Sequence, residues 1–130
     1  MHMMRTLILL TAAVMLSISC ATAAELVMFR QEGCPWCAAW DRDISAIYGK
    51  TDIGRRVPLQ MVDIHGDRPK FALKSTVVYT PTFVLVEKDR EVGRIEGYIS
   101  DYFFWGLLER LLEQLPPETK SGPSATPIDH

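Results

Sequence analysis

The chain has 130 residues, 48% of them hydrophobic and 23% charged, with a formal net charge of −2. One domain is the expectation at that length, and the composition is that of a globular protein rather than a disordered chain or a membrane bundle. The mildly acidic balance, without runs of like charge, argues against nucleic acid as a partner, since that role draws on a basic patch.

The N-terminus reads differently from the rest. Arg5 precedes an apolar run over residues 7–18, broken by Thr11 and Ser17, and Ala21-Thr22-Ala23-Ala24 follows. A positive flank, a short apolar stretch and an A-x-A pattern describe a signal peptide, residues 1–23, cut after Ala23. The run is shorter than the roughly 20 apolar residues of a spanning helix. Cys20 follows Ser17-Ile18-Ser19, which leaves a lipoprotein anchor as the lesser alternative. Under both readings Cys34 and Cys37 are the cysteines left for redox chemistry.

In the domain expected over residues 24–115, the apolar run Leu26-Val27-Met28-Phe29 fits a buried strand within residues 25–30. Gln31-Glu32-Gly33 breaks it. Cys37, Trp40, Ile44 and Ile47 then recur at helical spacing, with Asp41, Arg42 and Asp43 on a solvated face. Pro35 suits the first turn and Gly49 the stop. Residues 50–56 read as a polar connection, 59–64 as a second short strand, and 69–75 as a short helix. Thr82-Phe83-Val84-Leu85-Val86 is a β-branched strand; Lys88-Asp89-Arg90 turns the chain into a partner strand over 91–96, closed by Gly97. Ser100 or Asp101 can cap a last helix, whose stripe is Phe104, Trp105, Leu108, Leu111, Leu112 and Leu115. Pro116-Pro117 stops it, and the tail to His130 is polar and Pro-rich, with the composition of a disordered segment. The expected class is α/β, a central mixed sheet of about four strands flanked by helices on both faces.

Cys34-Pro35-Trp36-Cys37 sits at the junction of the first strand and helix. A thiol there faces unpaired N–H groups and the positive end of the helix dipole, which stabilise its thiolate. A cysteine pKa can fall from about 8.5 to between about 3.5 and 7.5 in such a place, and the thiolate is the species that attacks disulfides. Cys34 is therefore the expected exposed nucleophile and Cys37 the buried resolving thiol. A zinc site is disfavoured: zinc takes four ligands, and only His65 and the tail's His130 remain in the mature chain. A purely structural disulfide is disfavoured because so short a loop constrains the unfolded chain little. Trp36 reads as an exposed rim for substrate, Trp40, Phe104 and Trp105 as core, and His65 as a solvated loop residue on the site's side of the sheet.

These motifs, in order, resemble the thioredoxin superfamily: strand, Gly33-Cys34-Pro35-Trp36-Cys37, helix; then Thr80-Pro81-Thr82-Phe83 opening a strand; then the glycine-bearing hairpin from Gly93 to Gly97-Tyr98. The resemblance implies a thioredoxin-like fold, a cis peptide before Pro81, and backbone pairing of Thr80 with substrate, so that Trp36, Thr80 and Pro81 form the substrate-binding set. It implies no cofactor beyond the redox-active Cys34–Cys37 pair, and no metal. Thioredoxins carry a buried acid where this chain has Met28, so the usual proton acceptor for Cys37 is missing, with Glu25, Glu32 or water as substitutes. Pro35-Trp36 is closest to the glutaredoxin Pro-Tyr pair, without the Gly-rich glutathione segment. The spacing of Pro81 from Cys37 leaves no room for the helical insertion of the DsbA branch.

Residues 33–41, Glu91-Val92-Gly93-Arg94-Ile95-Glu96-Gly97-Tyr98 and Phe103-Phe104-Trp105 look like the small periplasmic thioredoxins of sulfur-oxidation operons, the SoxS-like group. That likeness implies a periplasmic monomer that reduces a partner protein's disulfide or oxidised cysteine, drawing electrons from a membrane donor of the DsbD or CcdA type. A potential of roughly −230 to −200 mV goes with the Pro-Trp pair. An oxidase, an isomerase and a redox-inert binding module are the alternatives.

Overall fold

Strand β1 (Glu25–Arg30) owes its central place to a run that is apolar on both sides. Leu26 and Met28 face one layer, Val27 and Phe29 the other, and all four are buried. It pairs in parallel with β2 (Leu59–Asp63) and antiparallel with β3 (Thr82–Glu87), which pairs antiparallel with β4 (Arg90–Glu96). The resulting mixed sheet has the order β2-β1-β3-β4. The computed structural model describes residues 23–116. The expected signal segment, the lipidation alternative at Cys20 and the C-terminal tail lie outside the described residues, apart from Ala23 and Pro116 at their edges.

The helices gather on one face. α1 (Pro35–Trp40) runs on through a π-helical stretch (Asp41–Ser45) into α2 (Ala46–Tyr48). The wider π turn shifts the inward face by one residue. The buried series is Cys37, Trp40, Ile44 and Tyr48, and Ile47, expected inside, is 46% exposed. Residues 50–56, expected as a plain connection, include helix α3 (Asp52–Arg56), whose N-terminus is capped by Thr51 Oγ1 accepting from the Gly54 N–H at 3.0 Å. α4 (Asp101–Leu112) buries Phe104, Leu108, Leu111 and Leu112 against the same face. Its approach depends on Gly93 in β4, where a Cβ would come within 2.6 Å of Leu111 Cδ1. Trp40, Phe83 and Phe104 form the aromatic centre of this layer, with ring centroids 4.9–5.9 Å apart. Such pairs add about 0.5–1.5 kcal/mol each beyond their buried area. Trp105 is only partly buried and stacks on Tyr48.

The second face departs from expectation. No helix forms over 69–75, so the four-stranded mixed sheet carries helices on one face and an irregular segment, residues 64–78, on the other. The apolar residues of that segment explain why. Phe71 and Leu73 alternate with period two, not at helical spacing, and pack with Val77 on Val27, Phe29, Val84 and Val86. Between them Ala72 pairs with the β4 edge, its N–H donating to Asp89 O and its carbonyl accepting from Glu91 N–H, both at 2.9 Å. Glu91 and Arg94 tie the segment down. The Glu91 carboxylate accepts from the Lys74 N–H at 2.7 Å, and Arg94 donates to it and to the Ser75 carbonyl.

The hairpin turn is Lys88-Asp89, both at positive φ (49° and 58°), which matches the twist of the flanking strands. Arg90 already belongs to β4.

Candidate active site

Three loops at one end of the sheet build the site: the β1–α1 loop, the segment before β3, and the turn after β4. Gly33, at φ 74°, turns the chain out of β1 so that Cys34 becomes the N-cap of α1. The Cys34 sulfur accepts from the Cys37 N–H at 3.1 Å, and the Cys34 carbonyl accepts from Ala38 N–H. Cys34 and Cys37 are joined by a disulfide, with Cα atoms 5.3 Å apart.

Neither cysteine is broadly exposed, which corrects the reading of Cys34 as an exposed thiol. Cys34 retains 8% of its surface and Cys37 1%. The Thr80 carbonyl oxygen lies 3.5 Å from the Cys34 sulfur and helps to cover it. Cys34, and not Cys37, borders a cleft of about 670 Å³ lined also by Arg30, Gln31, Glu32, Pro35, Met61 and Asp63. Access to the pair is therefore one-sided.

The Thr80-Pro81 peptide is cis, Pro81 is fully buried, and its carbonyl accepts from Gly97 N–H at 2.7 Å. That bond carries the turn after β4 to the site, with Gly97 at φ 85°. Trp36 is 60% exposed. Val78, Tyr79 and Ile99 are exposed apolar residues on the segments that flank Thr80 and Gly97.

Met28 is fully buried in the layer that holds Cys37, so no carboxylate stands at that strand position. Glu25 begins β1 at the opposite end of the strand, whereas Glu32 lines the cleft. Asp41 and Asp43, read as a solvated face, both have partners. Arg30 binds Asp41 through two hydrogen bonds of 2.8 and 2.7 Å, and hydrogen bonding to Asp41 raises the Arg30 guanidinium above its usual value. Tyr98 donates its hydroxyl to Asp43 at 2.8 Å. Gln31, read in the sequence only as part of the break after the first strand, donates to the Thr80 hydroxyl at 3.1 Å and faces His65 at 3.0 Å. No periodicity marks such residues; only the folded loops bring them together. Among the described residues no group of three His, Cys, Asp or Glu side chains could hold a metal ion.

The mixed sheet, the Cys-x-x-Cys disulfide at a helix N-cap and the cis-proline beside it define the class: a thioredoxin-like thiol–disulfide oxidoreductase. The chain is similar to the crystal structure of the periplasmic thioredoxin SoxS from Paracoccus pantotrophus in its reduced form. Identity is 44% and the TM-score 0.68, over 70% of this chain and 97% of that one. The chain therefore belongs to the SoxS family of thioredoxins. No family model and no curated protein matches it.

Proposed function

We propose that this protein is an exported, periplasmic protein-disulfide reductase that works through a mixed disulfide on Cys34. The observation that carries the reading is the placement of the Cys34 sulfur. It sits at a helix N-cap, accepts a backbone N–H, and lies on the side of the pair that opens to the cleft. A thiolate at that position is stabilised by the same N–H and by the helix dipole. The relative, SoxS, is described as a periplasmic thioredoxin, which supports the compartment.

The exchange runs in two steps. The Cys34 thiolate attacks one sulfur of a partner's disulfide; that S–S bond breaks, a Cys34–partner disulfide forms, and the partner's other sulfur leaves as thiolate and takes a proton. Cys37, deprotonated, then attacks the Cys34 sulfur, closing the Cys34–Cys37 disulfide and releasing the partner as a dithiol. Two electrons and two protons pass from the cysteine pair to the partner. Trp36 and the Thr80 peptide form the surface that receives it, held from beneath by the buried Pro81, with Tyr79 and Ile99 extending the apolar rim. A membrane thiol donor of the DsbD or CcdA type restores the dithiol, and the protein works as a monomer.

Reduction of insulin by dithiothreitol, with wild type against Cys34→Ser, tests the reading. Wild type accelerates precipitation of the insulin chains and the variant does not; equal rates, or no acceleration by either, overturn it. A potential above about −180 mV, in the range of protein disulfide isomerase and DsbA, would assign oxidation or isomerisation instead.

A further inference from the structure

We propose that Gln31 is a positioning residue for disulfide exchange, holding the Thr80 hydroxyl and so setting how the Thr80 peptide stands against Cys34. The inference rests on the reductase reading above and deepens it.

Both ends of the Gln31 amide are engaged. Its Nε2 donates to Thr80 Oγ1 at 3.1 Å, and its Oε1 lies 3.0 Å from His65 Nε2. An amide oxygen only accepts, so in this arrangement the imidazole presents its Nε2–H to Gln31 while the amide N–H points to Thr80. His65 is held in turn, its backbone N–H donating to Asp63 Oδ1 at 2.7 Å. The network thus ties the loop after β1 and the loop after β2 to the segment before β3. All three lie at the end of the sheet that carries Cys34.

The target of this clamp is a peptide from across the fold whose carbonyl oxygen lies 3.5 Å from the reacting sulfur. Thr80 lies just before β3 begins and outside its ladder. Its neighbours are fixed on both sides: the Tyr79 carbonyl accepts from Thr82 Oγ1, and the Pro81 carbonyl accepts from Gly97 N–H, both at 2.7 Å. Thr80 therefore has little freedom to translate, and what remains is rotation of its peptide groups. That rotation moves a carbonyl oxygen 3.5 Å from Cys34. A partner chain seated at Cys34 must pass beside these groups, whereas a small disulfide needs only the sulfur. The hydrogen bond from Gln31 to the Thr80 side chain restrains the rotation.

The test compares insulin with a small aromatic disulfide as substrates, in the full-length mature protein. In Gln31→Ala, the ratio of kcat/KM for insulin to the rate with the small disulfide falls about fivefold, the equivalent of one ordinary hydrogen bond. Thr80→Val, which keeps shape and removes the hydroxyl, lowers insulin kcat/KM by a similar factor. The double variant loses no more than either single one, because both remove the same contact. His65→Ala gives a smaller loss in the same direction. An unchanged ratio in Gln31→Ala, or additive losses in the double variant, overturns the proposal, as does an equal loss on both substrates, which would mean that Cys34 itself had moved. Wild type inactive on insulin overturns the reductase reading, and this proposal with it; an active wild type with an indifferent Gln31→Ala overturns this proposal alone.

Discussion

The Cys34 sulfur lies 3.5 Å from the Thr80 carbonyl oxygen, although 46 positions separate the two residues in the chain. The antiparallel pairing of β1 and β3 makes this contact. Phe29 stands opposite Thr82, so the loop leaving β1 and the segment entering β3 emerge side by side at one end of the sheet. A chemically ordinary Cys-x-x-Cys thereby acquires a backbone wall on one side and a cleft on the other.

One-sided access gives the two cysteines different fates. With Cys37→Ala, a partner attacked by Cys34 cannot be released, so a mixed disulfide accumulates and runs as a higher-mass band on a non-reducing gel. Cys34→Ser yields no such band. Trapping that depended on Cys37 instead would reverse the assignment of nucleophile.

Two glycines should respond to alanine in opposite senses. A Cβ at Gly54 would overlap the Tyr48 carbonyl oxygen, a backbone atom that cannot step aside. Gly54→Ala is expected to cost about 1–3 kcal/mol, as overpacked sites do. At Gly106, within α4, a Cβ meets nothing within 4 Å, so Gly106→Ala should add about 0.5–1 kcal/mol of stability. Urea denaturation midpoints of both variants check the pair.

Glu91 should make the fold acid-sensitive. Burial alone would raise its carboxyl, but hydrogen bonds from Arg94 and the Lys74 N–H outweigh that and hold it below its ordinary value of 4.5. A carboxylate depressed in the folded state binds fewer protons there than in the unfolded chain. Its contribution is therefore complete above the unfolded pKa and is lost as pH falls through the lower, folded one. Urea midpoints measured from pH 7 down to pH 3 should fall more steeply for wild type than for Glu91→Gln.

The opposite sign applies to Tyr98. Burial, then its hydrogen bond to Asp43, pushes the phenol from 10.0 up to about 12. The folded protein holds this proton after the unfolded chain has released it, so stability falls as pH rises from 10.0 to about 12. Tyr98→Phe should show a shallower alkaline decline in thermal unfolding and lose the absorbance change of a late-titrating phenolate.

The cysteine pair, the strand before it and the apolar stripe of α4 were legible in the amino-acid sequence because each depends on local chemistry, whereas the part given to Pro81, just before β3, came from the resemblance to thioredoxins. Turn residues, periodicity and helix-end electrostatics act within a few positions of one another. What the sequence by itself did not determine was set by contacts across the fold. A π turn moved Tyr48 inward in place of Ile47. Residues 64–78 stayed irregular because Phe71 and Leu73 found the sheet and Ala72 found the β4 edge. Asp41, Asp43, Gln31 and His65 look like solvated surface until tertiary structure brings Arg30, Tyr98 and Thr80 within hydrogen-bonding distance. Hydrogen bonds of this kind reach only about 3 Å and join segments far apart in sequence, so no pattern along the chain announces them. The sequence alone singled out Cys34 as the expected nucleophile; tertiary structure decided what stands beside it.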